Sequence, residues 1–485
     1  MTISARQRRP HAESPAVTPG QIRVSYLNEP LLVFGDDGLH VDPKAGIARY
    51  GPRSLASPRH PERVRVGIIG TAESISNAQE WLVSRARGVR GNEKHPSFVG
   101  FQRDRGFFAD LEFASGWNQT LTQSEVKGLL RKRRSEKERL EEAVDLIDAK
   151  LRLLADLDLP PEYVVLALPE EIVRRCRKAD YFDKQQGRVH RDLRRAIKAR
   201  AMEHRLPTQI LREGTVRGDT DDTHPAKVAW NYFTGLYFKR GGVPWGPFGL
   251  QPGTCYIGVS FYRPLGSTFP AMQTSLVQAF DEHGDGLVLR GHDFDWDPGR
   301  QGSRAPHLTE EQAAVLVDLA LDRYEQEMGQ QPARVVVHKR SRYWPDERAG
   351  FDAALSHRVR RYDLLALEPQ SRARILNASS YPPLRCTRFI AGDTDYLYTT
   401  GFIAALNEFH AMHVPSPLQI ADHVGQDTSR DVLLEEVLAL SKMNWNSANF
   451  GGLLPITLRF SELVGEILRE LPPDREPRPQ FKYYT

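Results

Sequence analysis

Short apolar runs that alternate with amphipathic helical segments are the feature that most constrains this chain. The runs RVRVGIIG at 63–70 and YVVLALP at 163–169 have the continuous hydrophobicity of strands buried on both faces, and a helical pattern follows each of them. Alternation of this kind builds a parallel sheet with helices on both sides. We therefore predict an α/β fold that opens with a doubly wound, Rossmann-like domain over residues 61–245, with ligands at the carboxyl ends of its strands.

The second half of the chain predicts another α/β domain. The loop GPFGLQPGT after Trp245 marks a boundary, and strands rich in β-branched residues come first and helices later. This order suits a ribonuclease-H-like domain over residues 246–485. The predicted elements are strands at 255–263, 286–291, 333–341 and within 384–400, and helices at 308–328, at 431–442 and from about Ser461.

Composition limits the remaining possibilities. Residues 1–20 lack the apolar core of a signal peptide and are expected to be a disordered tail, and residues 21–60 form a β-rich N-terminal segment. The net charge is only +4, so nucleic-acid binding must be argued from local clusters. The three cysteines are widely spaced, which favours a reducing cytoplasm and excludes a zinc ribbon. No apolar run approaches the ~20 residues of a membrane span, so no membrane partner is expected.

The densest cluster of positive charge lies in residues 188–245. Its spacing predicts a basic helix over Arg188–Arg205, a short strand near Ile210, and a second helix that Thr223 caps and Gly241 ends. Two basic helices would then flank the dipeptide Thr208-Gln209, and cations with fixed donors are what a terminal phosphate needs. The alternative is two ordinary amphipathic helices with solvated charge.

Three segments of this cluster, HRDLR, LPTQI and AKVAWNYFTGLYFKRGGVPW, resemble the guide 5′-end pocket of the Argonaute/PIWI family. The run EPLLVFGDDGLHVDPKAGIARYGP resembles the opening segment of short prokaryotic Argonautes, and the strand order of residues 246–485 is similar to that of PIWI domains. The resemblance therefore implies a MID domain over 61–245 that holds the guide 5′ end, followed by a PIWI domain.

The resemblance also implies which residues form the pocket. His190 would stack on the first base or bond the phosphate, Arg194 and Lys239 would neutralise the phosphate, and Gln209 would donate from its amide. The C-terminal RPQFKYYT is similar to the family's chain ends, which implies that the Thr485 carboxylate helps to hold Mg²⁺ on the guide phosphate. Two departures are visible: the Arg194–Gln209 spacing is slightly long, and arginine stands where lysine is commoner.

The same resemblance implies a nuclease site that has lost its carboxylates. PIWI nucleases hold two divalent cations with acidic residues, but Ser260 and Arg340 stand at two of those positions, and residues 443–455 contain no acid or histidine. Since a buried arginine would repel a dication, we expect no catalytic metal and no enzymatic activity. An alternative is an active guide-dependent nuclease that uses displaced ligands such as Asp293, Asp295 or Asp297.

A chain of this kind is expected to work with partners. The resemblance implies a small 5′-phosphorylated guide RNA, a complementary single-stranded target DNA, and a partner chain that contains an APAZ domain and a TIR, sirtuin-like or nuclease effector. Target pairing would activate the effector in defence against plasmids or phage. A further alternative is a scaffold that no longer loads a guide.

Overall fold

The computed structural model describes residues 22–131, 135–184, 187–219, 223–265, 271–280, 286–296, 305–369, 371–376, 378, 380–409, 413–425, 428–471, 475 and 477–485. The predicted tail at 1–20 and Asp297 lie outside the described residues. The described helices are α1 Pro43–Tyr50, α2 Ala72–Ala86, α3 Gln123–Leu129, α4 Glu136–Ala155, α5 Glu170–Cys176, α6 Leu193–Glu203, α7 Glu213–Arg217, α8 Pro225–Lys239, α9 Glu310–Met328, α10 Pro345–Arg358, α11 Arg430–Leu440 and α12 Ile456–Leu468.

The first half contains a four-stranded parallel sheet, as the apolar runs predict. Its order is β11-β8-β4-β7, and all three pairings are parallel. Helices α2 and α8 pack on one face, and α4 and α6 pack on the other. The strands of this half and of the preceding segment are β1 Arg23–Tyr26, β2 Leu32–Val33, β3 Leu39–His40, β4 Arg63–Gly70, β5 Phe101–Gln102, β6 Arg105–Gly106, β7 Asp110–Thr120, β8 Tyr163–Ala167, β9 Lys178–Asp183, β10 Gly187–Asp192, β11 Thr208–Ile210 and β12 Gly246–Pro247.

The second half is built on a nine-stranded mixed sheet with the order β1-β18-β19-β20-β17-β16-β13-β14-β15. Strands β13, β16 and β17 run parallel at its centre. Helices α9 and α10 cover one face, and α11 and α12 cover the other. Its remaining strands are β13 Thr254–Tyr262, β14 Ala271–Phe280, β15 Gly286–Asp295, β16 Arg334–Lys339, β17 Arg361–Glu368, β18 Thr387–Ala391, β19 Thr394–Leu397 and β20 Leu418–Val424.

The segment over residues 21–60 is shared between the two halves of the molecule. Strand β1 joins the edge of the nine-stranded sheet by pairing with β18. Strands β2 and β3 form a separate three-stranded sheet with β12, at the boundary between the halves. None of the described helices is both long enough and apolar enough to cross a membrane.

Candidate nucleic-acid interface

The predicted basic helix begins later than its spacing indicates. Gly187–Asp192 form β10, which pairs antiparallel with β9, and α6 starts only at Leu193, where the Asp192 carboxylate accepts from the Arg195 N–H at 3.2 Å. The helix prediction over 188–192 was wrong because pairing with a neighbouring strand overrides a local helical pattern. His190 therefore lies on a surface hairpin, where its Nδ1 is 2.5 Å from an Asp180 carboxylate oxygen.

Three of the predicted pocket residues do come together. Helix α6 presents Arg194, strand β11 presents Gln209, and Lys239 ends α8. Strand β11 is an edge strand of the parallel sheet. Its Thr208-Gln209 dipeptide lies between the two helices, as the sequence predicts, because Lys198 of α6 and Lys239 of α8 both contact the Thr208 oxygen.

A cleft of about 360 Å³ opens above this point. Arg177, Arg194 and Arg212 line it together with Gln209, and all three arginines are exposed. Among the described residues none of these arginines has a carboxylate partner, whereas the neighbouring Arg195 is paired with Glu466 at 2.7 Å. The cleft therefore offers unpaired guanidinium groups whose planar forks match phosphate oxygens.

Two buried lysines lie beside Gln209. The ammonium groups of Lys198 and Lys239 both donate to the main-chain oxygen of Thr208, at 3.3 and 3.2 Å. Lys239 also donates to the side-chain oxygen of Gln209, and Lys198 donates to the main-chain oxygen of Thr485. Among the described residues neither lysine contacts an Asp or Glu side chain, so the Thr485 oxygen on Lys198 is the one carboxylate contact described for the pair.

Burial sets the electrostatics of this lysine pair. It lowers the pKa of Lys198 well below its ordinary value, and the nearby positive charges of Lys239 and Arg194 lower it further. Burial likewise lowers the pKa of Lys239, again with a contribution from Arg194. Such a pair is costly to keep charged unless an anion binds beside it.

Lys198 is the residue that sequence reasoning missed. It lies one helical turn after Arg194, so it shares the face of α6 that meets β11, and its spacing to Gln209 is correspondingly shorter. The long Arg194–Gln209 spacing was the available signal. Thr485, predicted as a pocket residue, is buried and reaches the site through its contact with Lys198.

The donor set here does not fit Mg²⁺. Magnesium needs hard oxygen ligands in an octahedral arrangement, yet the Thr485 oxygen already accepts from an ammonium group, and Lys239 and Arg194 add positive charge nearby. The predicted metal role of Thr485 stays a prediction, and these surroundings favour side-chain cations at this position.

A second basic cavity, of about 220 Å³, lies at the opposite end of α8. Lys44 from α1, Lys94 from the first half and Lys227 from the first turn of α8 line it, with Asn449 and Phe450 from the second half. None of the three lysines has an ion-pair partner among the described residues. Burial is the main cause that lowers the pKa of Lys44, and the nearby Lys227 adds to it.

The two positions predicted to have lost catalytic carboxylates lie side by side. Val259 on β13 is in register with Lys339 on β16, so Ser260 and Arg340 follow at the carboxyl ends of adjacent parallel strands. Both point to the face that α12 covers: His338 bonds the Thr457 hydroxyl at 2.8 Å, and side chains two residues apart share a face. The Arg340 guanidinium forms an ion pair with Glu462 of α12.

Arg340 differs from the expectation in its burial. Its side chain is 42% exposed and paired, whereas a buried guanidinium was expected from the sequence. The acid that meets it, Glu462, was also missed, because α12 was predicted to begin near Ser461 and in fact begins at Ile456. Of the alternative ligands, Asp295 is exposed at the end of β15, and the side chain of Asp293 is not among those described. Within the described part of the chain no three His, Cys, Asp or Glu side chains cluster as metal ligands would.

Gly258 sets the distance between β13 and α12. A Cβ atom at this position would lie 2.2 Å from the main-chain oxygen of Thr457. We expect Gly258→Ala to lower the free energy of unfolding by about 3 kcal/mol, since backbone must move to relieve the clash. Chemical denaturation measures this, with Gly116→Ala in strand β7 as the control, because a Cβ there meets nothing within 4 Å. Equal stability of the two variants would contradict the close packing.

Comparison with known proteins gives fold relatives only. A scan of protein-family profiles and a search of curated proteins each found no match. Among solved structures, Clostridium butyricum Argonaute bound to a guide DNA and a 19-mer target DNA superposes with a TM-score of 0.64 at 14% identity, over 95% of this chain and 55% of that chain. Drosophila Piwi gives 0.58 at 12% identity, over 95% and 56%.

A third relative extends the range of ligands seen in this fold. Marinitoga piezophila Argonaute in complex with a 5′ OH guide RNA superposes with a TM-score of 0.55 at 11% identity, over 91% of this chain and 57% of that chain. The chain thus spans little more than half the length of each of these proteins. Its two α/β halves and their sheets have the MID–PIWI fold that Argonaute and Piwi proteins share.

Proposed function

We propose that this chain binds a small guide RNA by its 5′ phosphate and uses the guide to recognise a complementary single-stranded DNA. The observation that carries this proposal is the site made by α6, β11 and α8, in which three arginines without a carboxylate partner in the described part of the chain line a cleft beside two buried lysines. Base pairing would supply sequence specificity, and the protein would read phosphates and duplex shape.

A terminal phosphate fits this site better than an internal one. A terminal phosphate carries close to two negative charges near pH 7, against one for a phosphodiester. Lys198 and Lys239 converge on one carbonyl oxygen from different helices, so they can contact a single group. Because both ammonium groups are buried, an anion beside them gains from a weakly screened interaction.

The decisive experiment is guide loading. RNA that copurifies with the chain should be short and 5′-phosphorylated, and purified protein should bind 5′-phosphorylated RNA more tightly than the same RNA with a 5′ hydroxyl. The comparison between the two guides is informative because this fold also occurs in a complex with a guide that has a 5′ hydroxyl, that of Marinitoga piezophila Argonaute. Equal affinity for the two ends, or a chain that retains no nucleic acid, would favour the scaffold alternative.

The second basic cavity lies where a guide strand that leaves the 5′ pocket would continue. Lys227 and Lys239 are twelve residues apart on α8, so they lie about 18 Å apart along the helix axis. A strand held at its 5′ end near Lys239 could therefore pass the Lys44–Lys94–Lys227 cavity several nucleotides later. This cavity would hold backbone phosphates without reading their bases.

Neutralising this cavity should weaken guide binding uniformly. For Lys94→Ala with Lys227→Ala we expect the slope of log affinity against log salt to fall by roughly 0.7 for each phosphate that the protein no longer neutralises. The reduction should be the same for 5′-phosphate and 5′-hydroxyl guides, since the cavity is remote from the 5′ pocket. Filter binding at several salt concentrations tests this, with exposed Lys127→Ala on α3 as the control. An unchanged salt slope would remove the cavity from the guide path.

Guide binding should not require a divalent cation. Because Lys198 already contacts the Thr485 oxygen, we expect EDTA to change the affinity for a 5′-phosphorylated guide by less than about twofold. The measurement is a binding titration in EDTA against one in Mg²⁺ at constant ionic strength. A decrease in affinity that Mg²⁺ alone restores would support the metal role first predicted for Thr485.

We further propose that the chain does not cut its target. Ser260 and Arg340 replace acidic ligands, and the nearby Glu462 is engaged with Arg340. Incubation with guide, labelled target and Mn²⁺ should leave the target intact. A specific cut opposite the guide would instead support an active nuclease with ligands elsewhere.

An effector would then come from another polypeptide. We propose an APAZ-containing partner with a TIR, sirtuin-like or nuclease domain, which target pairing activates in defence against plasmids or phage. The reading frames beside this one identify the candidate. Adding target DNA to the loaded complex should start NAD⁺ consumption or DNA degradation, and an effector that is equally active without target would contradict the proposal.

A further inference from the structure

Strand β1 is an exposed edge of the nine-stranded sheet. It ends the strand order and pairs only with β18 among the described strands. All four of its residues are exposed although they belong to a nine-stranded sheet. Open edges are templates for pairing with another strand, and proteins usually protect them with charge, proline or a covering segment.

The main-chain N–H groups of β1 point alternately toward β18 and away from it. The Leu27 N–H donates to Cys386 at 3.0 Å, on the β18 side, and the pairing of Arg23–Tyr26 with β18 continues without a register shift. Because hydrogen-bonding groups alternate along an antiparallel strand, the N–H groups of Ser25 and Arg23 also face β18. Those of Val24 and Tyr26 face away from β18, and no strand among the described residues pairs with them on that side.

The side chains on one face of this edge are apolar. Ile22, Val24 and Tyr26 are 65%, 60% and 50% exposed, and their spacing of two places them on one face. Val24 lies opposite Phe389, which stacks on Tyr396 with ring centroids 4.6 Å apart. This face is the one away from α11, since Arg388, the next residue along β18, points to Asp431 of that helix. The exposed apolar face thus continues a row of aromatic side chains in which Phe389 is buried and Tyr396 is half-buried.

The chain's own N-terminal residues are poorly suited to cover this edge. The sequence MTISARQRRPHAESPAVTPGQ has three prolines and three arginines and few large apolar residues. Proline cannot donate to a ladder, and polar residues would leave the apolar face uncovered. A longer polypeptide fits better: in each Argonaute or Piwi relative described above, a little under half of the chain has no counterpart here.

We propose that β1 is the docking strand for a second polypeptide, the effector chain, which adds an antiparallel or parallel strand to the sheet. The incoming strand would carry apolar residues at alternate positions, to cover Ile22, Val24 and Tyr26, and an acidic residue near exposed Arg23. Main-chain hydrogen bonds would give affinity, and the alternate side chains would give specificity. This inference rests on the proposed function, because it assumes that an effector chain exists.

The test uses the full chain with the protein encoded by the adjacent reading frame. Val24→Lys places charge on the apolar face, and Val24→Pro removes an outward N–H without touching the ladder to β18. Each should weaken the complex by about 100-fold or more. Val414→Lys is the matched control, because Val414 is 62% exposed and lies in a loop. Hydrogen exchange at Val24 and Tyr26 should slow when the partner binds.

Guide binding separates the possible outcomes. If both Val24 variants bind guide and partner as the wild type does, the docking inference is overturned while the proposed function stands. If the wild-type chain binds guide but no partner, both the effector proposal and the docking strand are overturned. If Val24→Lys instead converts a self-associated wild type into a monomer, the occupant is a second copy of this chain and the inference is again overturned.

Discussion

Replacing Lys239 by methionine should weaken binding of a 5′-phosphorylated guide by about 100-fold, the equivalent of one charged hydrogen bond, and should stabilise the guide-free protein. Methionine keeps the length of the side chain and removes a buried ammonium group. Its acceptors are not abandoned, because the Thr208 oxygen retains Lys198 and the Gln209 side chain, half-buried at the cleft, can turn toward solvent. A folding defect would lower both the guide affinity and the stability of the protein. A lower affinity together with a higher stability would therefore identify Lys239 as a binding residue.

The pH dependence gives this prediction a second readout. Burial holds the pKa of Lys239 well below that of an unfolded lysine, so the buried charge costs stability most fully below the folded pKa, and the cost disappears as pH rises toward the unfolded pKa. The stability advantage of Lys239→Met should therefore shrink as pH rises from the lowered folded pKa of Lys239 toward that of a free lysine. Over the same range the wild type should lose affinity for the phosphorylated guide as its lysines lose their protons.

Two controls complete the comparison. Lys127→Met, at an exposed position on α3, should change neither guide affinity nor stability. A guide with a 5′ hydroxyl should bind wild type and Lys239→Met with similar affinity, since the lysine pair would contact only the terminal phosphate. If Lys239→Met reduces both affinities equally, the buried pair does not recognise the guide end.

The sequence-based predictions were accurate where the signal lies within one short segment, and they failed where the structure depends on pairing between distant segments. The strand predicted at 63–70 is β4 to the residue, because continuous apolar character and the following Thr71 cap are local. The hairpin β9–β10 was missed, since its ladder depends on pairing between segments rather than on spacing. The edge position of β1 depends on β18 at Thr387–Ala391, near the other end of the chain, and local pattern contains no information about it.

The amphipathic spacing of residues 122–157, together with a capping box of Thr122 and Glu125, predicts a single long helix over this segment. That capping box is present. However, the helix it starts ends at Leu129, and a second capping box of Ser135 and Glu138 starts α4. The second N-terminal signal was present in the sequence, but the long amphipathic pattern concealed it.

In the candidate site, too, some residues could be placed from local patterns and others depend on tertiary packing. Although α6 begins later than predicted, Arg194, Gln209 and Lys239 could be placed together, because the strand near Ile210 and the end of α8 before Gly241 have local signals. Lys198 could not be distinguished from a solvated helix residue, since its burial arises from packing against β11 and the last residues of the chain. Glu462 was missed for a simpler reason: α12 begins five residues earlier than its apolar spacing suggested.

Placing acidic residues at positions 260 and 340 should create a metal site. In Ser260→Asp with Arg340→Asp, the two new carboxylates would lie at the ends of adjacent strands on the face that carries Glu462, which would lose its cationic partner. Three converging carboxylates supply hard oxygen ligands and negative charge, the conditions that Mn²⁺ and Mg²⁺ require. We expect the double variant to bind Mn²⁺ with a dissociation constant on the order of 10⁻⁴ M.

Calorimetry or the electron paramagnetic resonance of Mn²⁺ measures this directly. Ser260→Asp alone is the matched control, because Arg340 remains to neutralise the added carboxylate and should prevent metal binding. The wild type, in which Glu462 is already paired, should bind no Mn²⁺ at the same concentration. If wild type and double variant bind Mn²⁺ equally, the metal binds elsewhere, and Arg340 is not the residue that prevents metal binding at this position. If neither variant nor wild type binds Mn²⁺, the side chains at positions 260, 340 and 462 do not converge closely enough to hold a metal.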